Sequence, residues 1–133
     1  MTRQDKLRRL WETMPFNAAC GLLVQEWSPD AVTLTCAHRP ELTNGAGTLH
    51  GGVVSTLIDS AATAAVIAGT GEDDRRVPVT ASLSVHFTGP GSADLTARAR
   101  VTRRGHATCF VSVEVVDKAS KPVAEALACI QLR

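Results

Sequence analysis

Apolar residues recur along this chain with two different periods, and the switches between them mark out its elements. From Arg3 to Met14, Leu7, Leu10, Trp11 and Met14 fall at i, i+3, i+4 and i+7. That spacing predicts an amphipathic helix with one packing face, ended by Pro15. Phe16 to Trp27 reads as an irregular lead-in and then a strand centred on Leu22 to Glu26. Ser28-Pro29-Asp30 is a turn signal. Ala31 to Ala37 sets Val32, Leu34 and Cys36 against Thr33 and Thr35, which predicts a half-buried strand and the second arm of a hairpin. The helical period returns from Val53 to Ala68, where Val54, Leu57, Ile58, Ala61, Ala65 and Ile67 supply the apolar surface. A helix this apolar nearly all round is buried.

Gly69-Thr70-Gly71 marks the end of that helix, and Glu72 to Arg76 is a charged surface loop. The period then drops to two. Val77, Val79, Ala81, Leu83, Val85 and Phe87 alternate with Thr80, Ser82, Ser84 and His86 until Gly89-Pro90-Gly91 interrupts. Leu95 to Thr102, Thr108 to Val116 and Val123 to Leu132 follow as strands, separated by turns at Arg104-Gly105 and Asp117 to Lys121. Three consecutive strands on short turns pair antiparallel. The pattern predicts an α+β fold, with an antiparallel sheet wrapped by its dry face around one long helix and a short N-terminal helix alongside. Each edge strand is free to extend the sheet into a second subunit.

Composition narrows this little but excludes several classes. The chain has 133 residues, the size of one domain with a single core, taken as 1–133. A formal net charge of +1, with charges scattered, argues against nucleic acid as a partner. Cys20, Cys36, Cys109 and Cys129 form no C-x-x-C pair and lie in apolar or alternating segments, as reduced core thiols do. Arg3, Asp5, Lys6, Arg8 and Arg9 break up any secretory signal at the N-terminus. Val53 to Ala68 is too short to span a bilayer and carries Asp59 near its middle, so no membrane association is expected and the location is expected to be cytoplasmic.

The chemistry concentrates where the long helix begins. Asn44-Gly45-Ala46-Gly47-Thr48-Leu49-His50-Gly51-Gly52 reads as a loosened loop feeding the helix N-terminus. Gly51 and Gly52 have no Cβ, so a ligand atom can approach their amides. Those amides sit in the first turn, where a helix has unpaired donors and partial positive charge. That is a place for a phosphate, or for an oxygen that becomes negative during a reaction. Asp59 is the one carboxylate on this helix, with Ser55, Thr56, Ser60 and Thr63 around it. A structural Asp satisfied by hydroxyls is one reading; a catalytic carboxylate is the other. Gly51 and Asp59 lie eight residues apart, about 12 Å along one helix, too far for one side chain to bridge. If both serve one reaction, they come from two copies of the helix packed antiparallel, which predicts a dimer with shared sites.

Asn44-x5-His50-Gly51-Gly52-x6-Asp59-x-Ala61 resembles the signature of hotdog-fold acyl-CoA thioesterases, in particular the phenylacetate-degradation (PaaI-like) branch. Thr80 to Pro90, with Phe87-x-x-Pro90, and Asp94 to Gly105 match that branch too, so the resemblance runs from about residue 15 to the C-terminus. It implies that Asp59 is the catalytic carboxylate, as general base or nucleophile, and that the Gly51 N–H is the oxyanion donor. It implies that Asn44 and His50 position the thioester and shape the loop, and that Thr80 orients the attacking water. Arg103, Arg104 and Gly105, with Gly52, fall where the family approaches CoA, although His106 stands where members often carry an Arg. The family also implies a tetramer of two dimers. No His, Cys, Asp or Glu set has metal-ligand spacing, and no Gly-rich loop fits a nucleotide, so neither metal nor cofactor is expected. The leading reading is hydrolysis of an acyl-CoA to free CoA and a carboxylic acid. Its rivals are a non-catalytic acyl-CoA binding protein and a hydratase or dehydratase, which would pair a His with the acid at another spacing.

Overall fold

A computed structural model describes residues 1–133. Three helices, α1 (Arg3–Thr13), α2 (Pro15–Cys20) and α3 (Gly51–Ala68), accompany six strands: β1 (Leu22–Ser28), β2 (Ala31–Cys36), β3 (Pro78–Phe87), β4 (Leu95–Arg104), β5 (Thr108–Asp117) and β6 (Pro122–Leu132). The strands form one antiparallel sheet in the order β1-β2-β4-β5-β6-β3. The β1–β2 hairpin and the β4-β5-β6 meander follow from their turns. Their junction does not: β2 pairs with β4, Leu34 facing Ala97, while β3 crosses to the far edge beside β6. The crossover is α3, which lies on one face of the sheet against all six strands, most extensively β2 and β4. Leu57, Ile58, Ala61, Ala62, Ala64, Ala65 and Val66 are fully buried on it. By length and composition alone this helix, which takes in Gly51 and Gly52, is long and apolar enough to cross a bilayer. Here it is the core of the domain.

Two sequence expectations change at the N-terminus. Residues 15 to 20 are helical, because Pro15 takes the first position of α2 as well as ending α1. A first-turn residue has no use for an N–H, so the ring that breaks one helix opens the next. Gly21, at φ +71°, closes α2 in the left-handed conformation that glycine tolerates. The stripe on α1 is also only partly a packing face. Trp11 is buried, edge-on to Trp27 at 5.7 Å, and its indole N–H donates to the Ser60 carbonyl of α3 at 2.9 Å. Leu10, in contrast, is 46% exposed.

The expected thiols are all unpaired; Cys20, Cys36 and Cys109 are buried and Cys129 half-buried. Burial pushes the Cys36 thiol up to about 11.

The strict alternation of β3 predicts Thr80 on the opposite face from Leu83. A bulge overturns this. Thr80 pairs with Ile130 and Ser82 with Cys129, so Ala81 is an extra residue without a partner. Before the bulge, Pro78 and Thr80 face the side of the buried Leu132 and Ile130; after it, Leu83 and Val85 face the side of the buried Ala128 and Ala126. Val79 and Ala81 are thereby turned to the outer face, and Val77, one residue before the strand, is 58% exposed. Even-numbered and odd-numbered residues share the helix-facing side of one strand.

Candidate active site

The geometry at the start of α3 selects a single donor. His50 is the N-cap residue, and its Nδ1 accepts the Gly52 N–H at 2.8 Å. The Val53 and Val54 N–H groups both donate to the His50 carbonyl, at 2.8 and 3.1 Å. Gly51 N–H is left without an acceptor in the chain. Two available glycine amides were expected; the structure provides one. Gly52 is required for a different reason. A Cβ there would lie 3.0 Å from His50 Nδ1, tight against the imidazole that caps the helix. At Gly51 an added Cβ would meet only the Phe87 ring, at an ordinary 3.6 Å.

Asn44 shapes the loop ahead of this helix. Its Oδ1 accepts from the Ala46 N–H at 2.8 Å and the Thr48 N–H at 3.3 Å, while its Nδ2 donates to Thr48 Oγ1 at 2.8 Å. Leu49 N–H reaches the Gly91 carbonyl at 2.8 Å and His50 N–H the Leu42 carbonyl at 2.9 Å. The capping histidine is therefore held from both sides.

Asp59 is half-buried on α3, outside the fully buried apolar face. Thr80 Oγ1 donates to its Oδ1 at 2.6 Å, a short charge-assisted bond made possible by the bulge in β3. Oδ2 has no partner within the chain. One oxygen is fixed and the other remains able to take a proton or attack a carbon. Gly51 lies beside Phe87 and Asp59 beside Thr80, so β3 runs antiparallel to α3 with a site residue near each end.

The basic turn expected at CoA divides in its roles. Arg104 pairs with Cys109 on the core side and turns inward. Its guanidinium donates to Asp30 Oδ1 at 2.6 and 3.0 Å and to the Val66 carbonyl of α3 at 2.8 Å. The expected phosphate contact is corrected here: this side chain holds the C-terminal end of α3. The reason is a second bulge, between Val101 and Arg103, which turns the strand over. Arg103 pairs with Phe110 on the outer face and remains exposed. Gly105 is set by backbone crowding, since a Cβ there would lie 2.6 Å from the Thr108 carbonyl oxygen. No three His, Cys, Asp or Glu side chains converge as a metal site would need.

Within the chain these residues form two groups, Thr80 with Asp59 and His50 with Gly51 and Gly52, and the spacing did not reveal how few donors stay unpaired. The signal was present: a histidine one residue before two glycines can cap the helix they begin. Phe87 over Gly51 carried no such signal.

The family model for the thioesterase superfamily matches residues 46–124, which include the helix, β3 and the meander as far as β6. Human acyl-coenzyme A thioesterase 13 is 30% identical over 96 residues, covering 70% of this chain and 66% of the human one. The crystal structure of AziG from S. sahachiroi, 32% identical, superposes with a TM-score of 0.82 over 90% of this chain and 98% of its own. E. coli PaaI, from the phenylacetic acid degradation operon, is 22% identical and shares the fold at a TM-score of 0.87, over 99% of this chain and 95% of its own. Family model, relatives and fold agree: the chain is a member of the thioesterase superfamily, a thioester hydrolase with the PaaI-like hotdog fold.

Proposed function

We propose that the protein hydrolyses acyl-CoA thioesters at sites shared between two protomers, with Asp59 of one and the Gly51 amide of the other acting on the same carbonyl. The observation that carries this is the pairing of one unpaired amide with one carboxylate oxygen free to react, on a helix too long for them to meet. The edge strand supplies the geometry. β3 has β6 on one side and no partner on the other. If two β3 edges pair antiparallel about a two-fold axis between Leu83 and Ser84, Thr80 comes opposite Phe87 of the partner subunit. Asp59 lies beside the first and Gly51 of the partner subunit beside the second.

The chemistry then needs little else. Water attacks the thioester carbon while Asp59 Oδ2 takes its proton, or Oδ2 attacks directly and water releases the acyl group afterwards. The carbonyl oxygen becomes negative against the Gly51 N–H at the positive end of the partner helix. Collapse of the tetrahedral centre expels the CoA thiolate, which takes up the proton. Thr80 fixes the carboxylate orientation, Asn44 and His50 hold the amide in place, and the exposed Arg103 is the arginine of its turn left free for CoA phosphate, which supports that role. Four unpaired thiols suit a reducing compartment such as the cytoplasm.

Release of free thiol from a panel of acyl-CoAs tests the activity. Binding without turnover would favour the acyl-CoA binder, and loss of enoyl absorbance with crotonyl-CoA the hydratase. Shared sites are tested by mixing Asp59→Asn with Gly51→Pro. Each alone keeps at most about a hundredth of wild-type turnover, but a mixed dimer contains one intact site, so an equimolar mixture recovers activity at about one site in four. No recovery on mixing would mean that each chain contains its own complete site.

A further inference from the structure

His50 is held by a bond that only one of its protonation states can make. An amide N–H can only donate, so in the 2.8 Å bond from Gly52 the ring Nδ1 is the acceptor. Nδ1 therefore carries a lone pair, and the single proton of the neutral ring is on Nε2. An imidazolium has a proton on both nitrogens and accepts at neither. A proton added at Nδ1 would point at the Gly52 N–H, and its charge would sit beside the positive end of α3. The ring would have to leave the cap. Gly52 N–H would then lack a partner, and the turn that carries Gly51 would lose the side chain that fixes it.

A second histidine on the same loop has the opposite requirement. His38 Nε2 lies 2.8 Å from the Gly47 carbonyl, and a carbonyl can only accept. That nitrogen is protonated in the neutral ring and stays so in the cation, so this bond survives acid. Other charges near the cap are already engaged. Glu41 is paired with Arg39 at 3.5 Å, and Asp94 with Lys118 at 3.2 Å, Asp94 also accepting the His38 N–H. From β3 it is the apolar Phe87 ring that lies against Gly51, while His86 is on the outer face, 3.9 Å from Glu125. The first charge on α3 itself is Asp59, and in the proposed dimer Asp59 of the partner subunit approaches as well.

We propose that His50 is a positioning residue that serves the site only as the neutral imidazole, and that its protonation switches hydrolysis off by uncapping α3. The proposal rests on the Gly51 amide being the oxyanion donor. It gives the activity a loss in mild acid, where imidazoles ordinarily take a proton, separate from the loss near about pH 4 ordinary for a carboxylate.

The test follows kcat on one hydrolysed acyl-CoA from about pH 8 to about pH 5 in wild type, His50→Asn and His38→Gln. Asparagine is among the best capping residues and takes no proton, so His50→Asn keeps a cap at every pH. Glutamine keeps a donor for Gly47. Wild type is expected to lose at least about fivefold across this range. His50→Asn, slower than wild type at the start, loses less than about twofold, and His38→Gln follows wild type. In 1H–15N spectra of wild type the Gly52 amide resonance moves with the same midpoint as kcat. That resonance decides if His50→Asn proves unfolded or too slow to follow. The inference is overturned by a wild-type profile flat to about pH 5, by an equal loss in folded His50→Asn, by a step that His38→Gln removes, or by a Gly52 resonance that stays fixed while kcat falls. Each of those leaves the hydrolase intact. No hydrolysis of any acyl-CoA at any pH overturns the proposed function instead.

Discussion

The two ends of α3 are treated in opposite ways. At the C-terminal end the carbonyls are over-supplied with partners. Ile67 O accepts from the Thr70 amide, the Thr70 hydroxyl and Gln4 Nε2, and Val66 O accepts from Gly69 N–H and Arg104. At the N-terminal end His50 satisfies its neighbours and leaves Gly51 N–H unpaired. Helix ends have orphan groups at both poles, and leaving one unmet costs stability. A fold that spends an arginine and a glutamine on one pole had the means to close the other. The exposed amide therefore reads as chemistry, and the closed end as anchoring.

The largest effect is expected at Asp59, which in the proposed mechanism works against the unpaired pole of the partner helix. Asp59→Asn should lower kcat by about 10²–10⁴ with melting temperature held and acyl-CoA binding retained. Steady-state kinetics beside a binding isotherm would check it, and comparable turnover would remove Asp59 from the mechanism. Next is the amide itself. Gly51→Pro deletes the N–H at a helix position where proline fits, after a His50 whose ψ of 138° already suits a residue before proline. It should lower kcat by about 10²–10³, whereas Gly51→Ala keeps the N–H, makes only ordinary contact with Phe87 and stays within about tenfold of wild type. Equal losses would mean that the site needs glycine for space and not for its donor.

The closed pole should respond in stability and not in rate. Arg104→Ala is expected to cost about 1–2 kcal/mol, discounted for a guanidinium 27% exposed, and about 4 °C per kcal/mol in Tm. Its kcat should remain near wild type. Arg104→Lys restores little, because one ammonium cannot span Asp30 and the Val66 carbonyl as a planar fork does. A large fall in kcat with unchanged Tm would return Arg104 to the substrate. The smallest effect concerns the loops bracing the open pole. Asp94 accepts the His38 N–H and pairs with Lys118, which together hold its carboxyl below the usual carboxylate value. A lowered folded pKa means that this stabilisation is complete above about pH 4 and disappears as pH falls through the lowered value. Melts of wild type and Asp94→Asn should differ at neutral pH and converge in acid.

What the sequence revealed follows from the same contrast. Periodicity located α3, both antiparallel units and the glycine loop, because each is a local pattern of side chains against a face. It could not show β3 crossing to the far edge, since strand order depends on partners distant in the chain. The site was legible as residues but not as occupancy. Nothing in the spacing of His50, Gly51 and Gly52 reveals that one amide is taken, and nothing in Arg103-Arg104 reveals which side chain turns inward. Both answers depend on how backbone groups pair, and one on a bulge.

Ala81 has a consequence beyond this enzyme. Were that residue drawn into the ladder opposite Ile130, every position ahead of it would exchange inside for outside, with Thr80 opposite Gln131 and Val79 opposite Leu132. No residue would change, yet the threonine hydroxyl would leave the carboxylate. Deleting Ala81, in contrast, would keep Thr80 opposite Ile130 and Ser82 opposite Cys129, so a slip of the strand is more disruptive here than a gap in it.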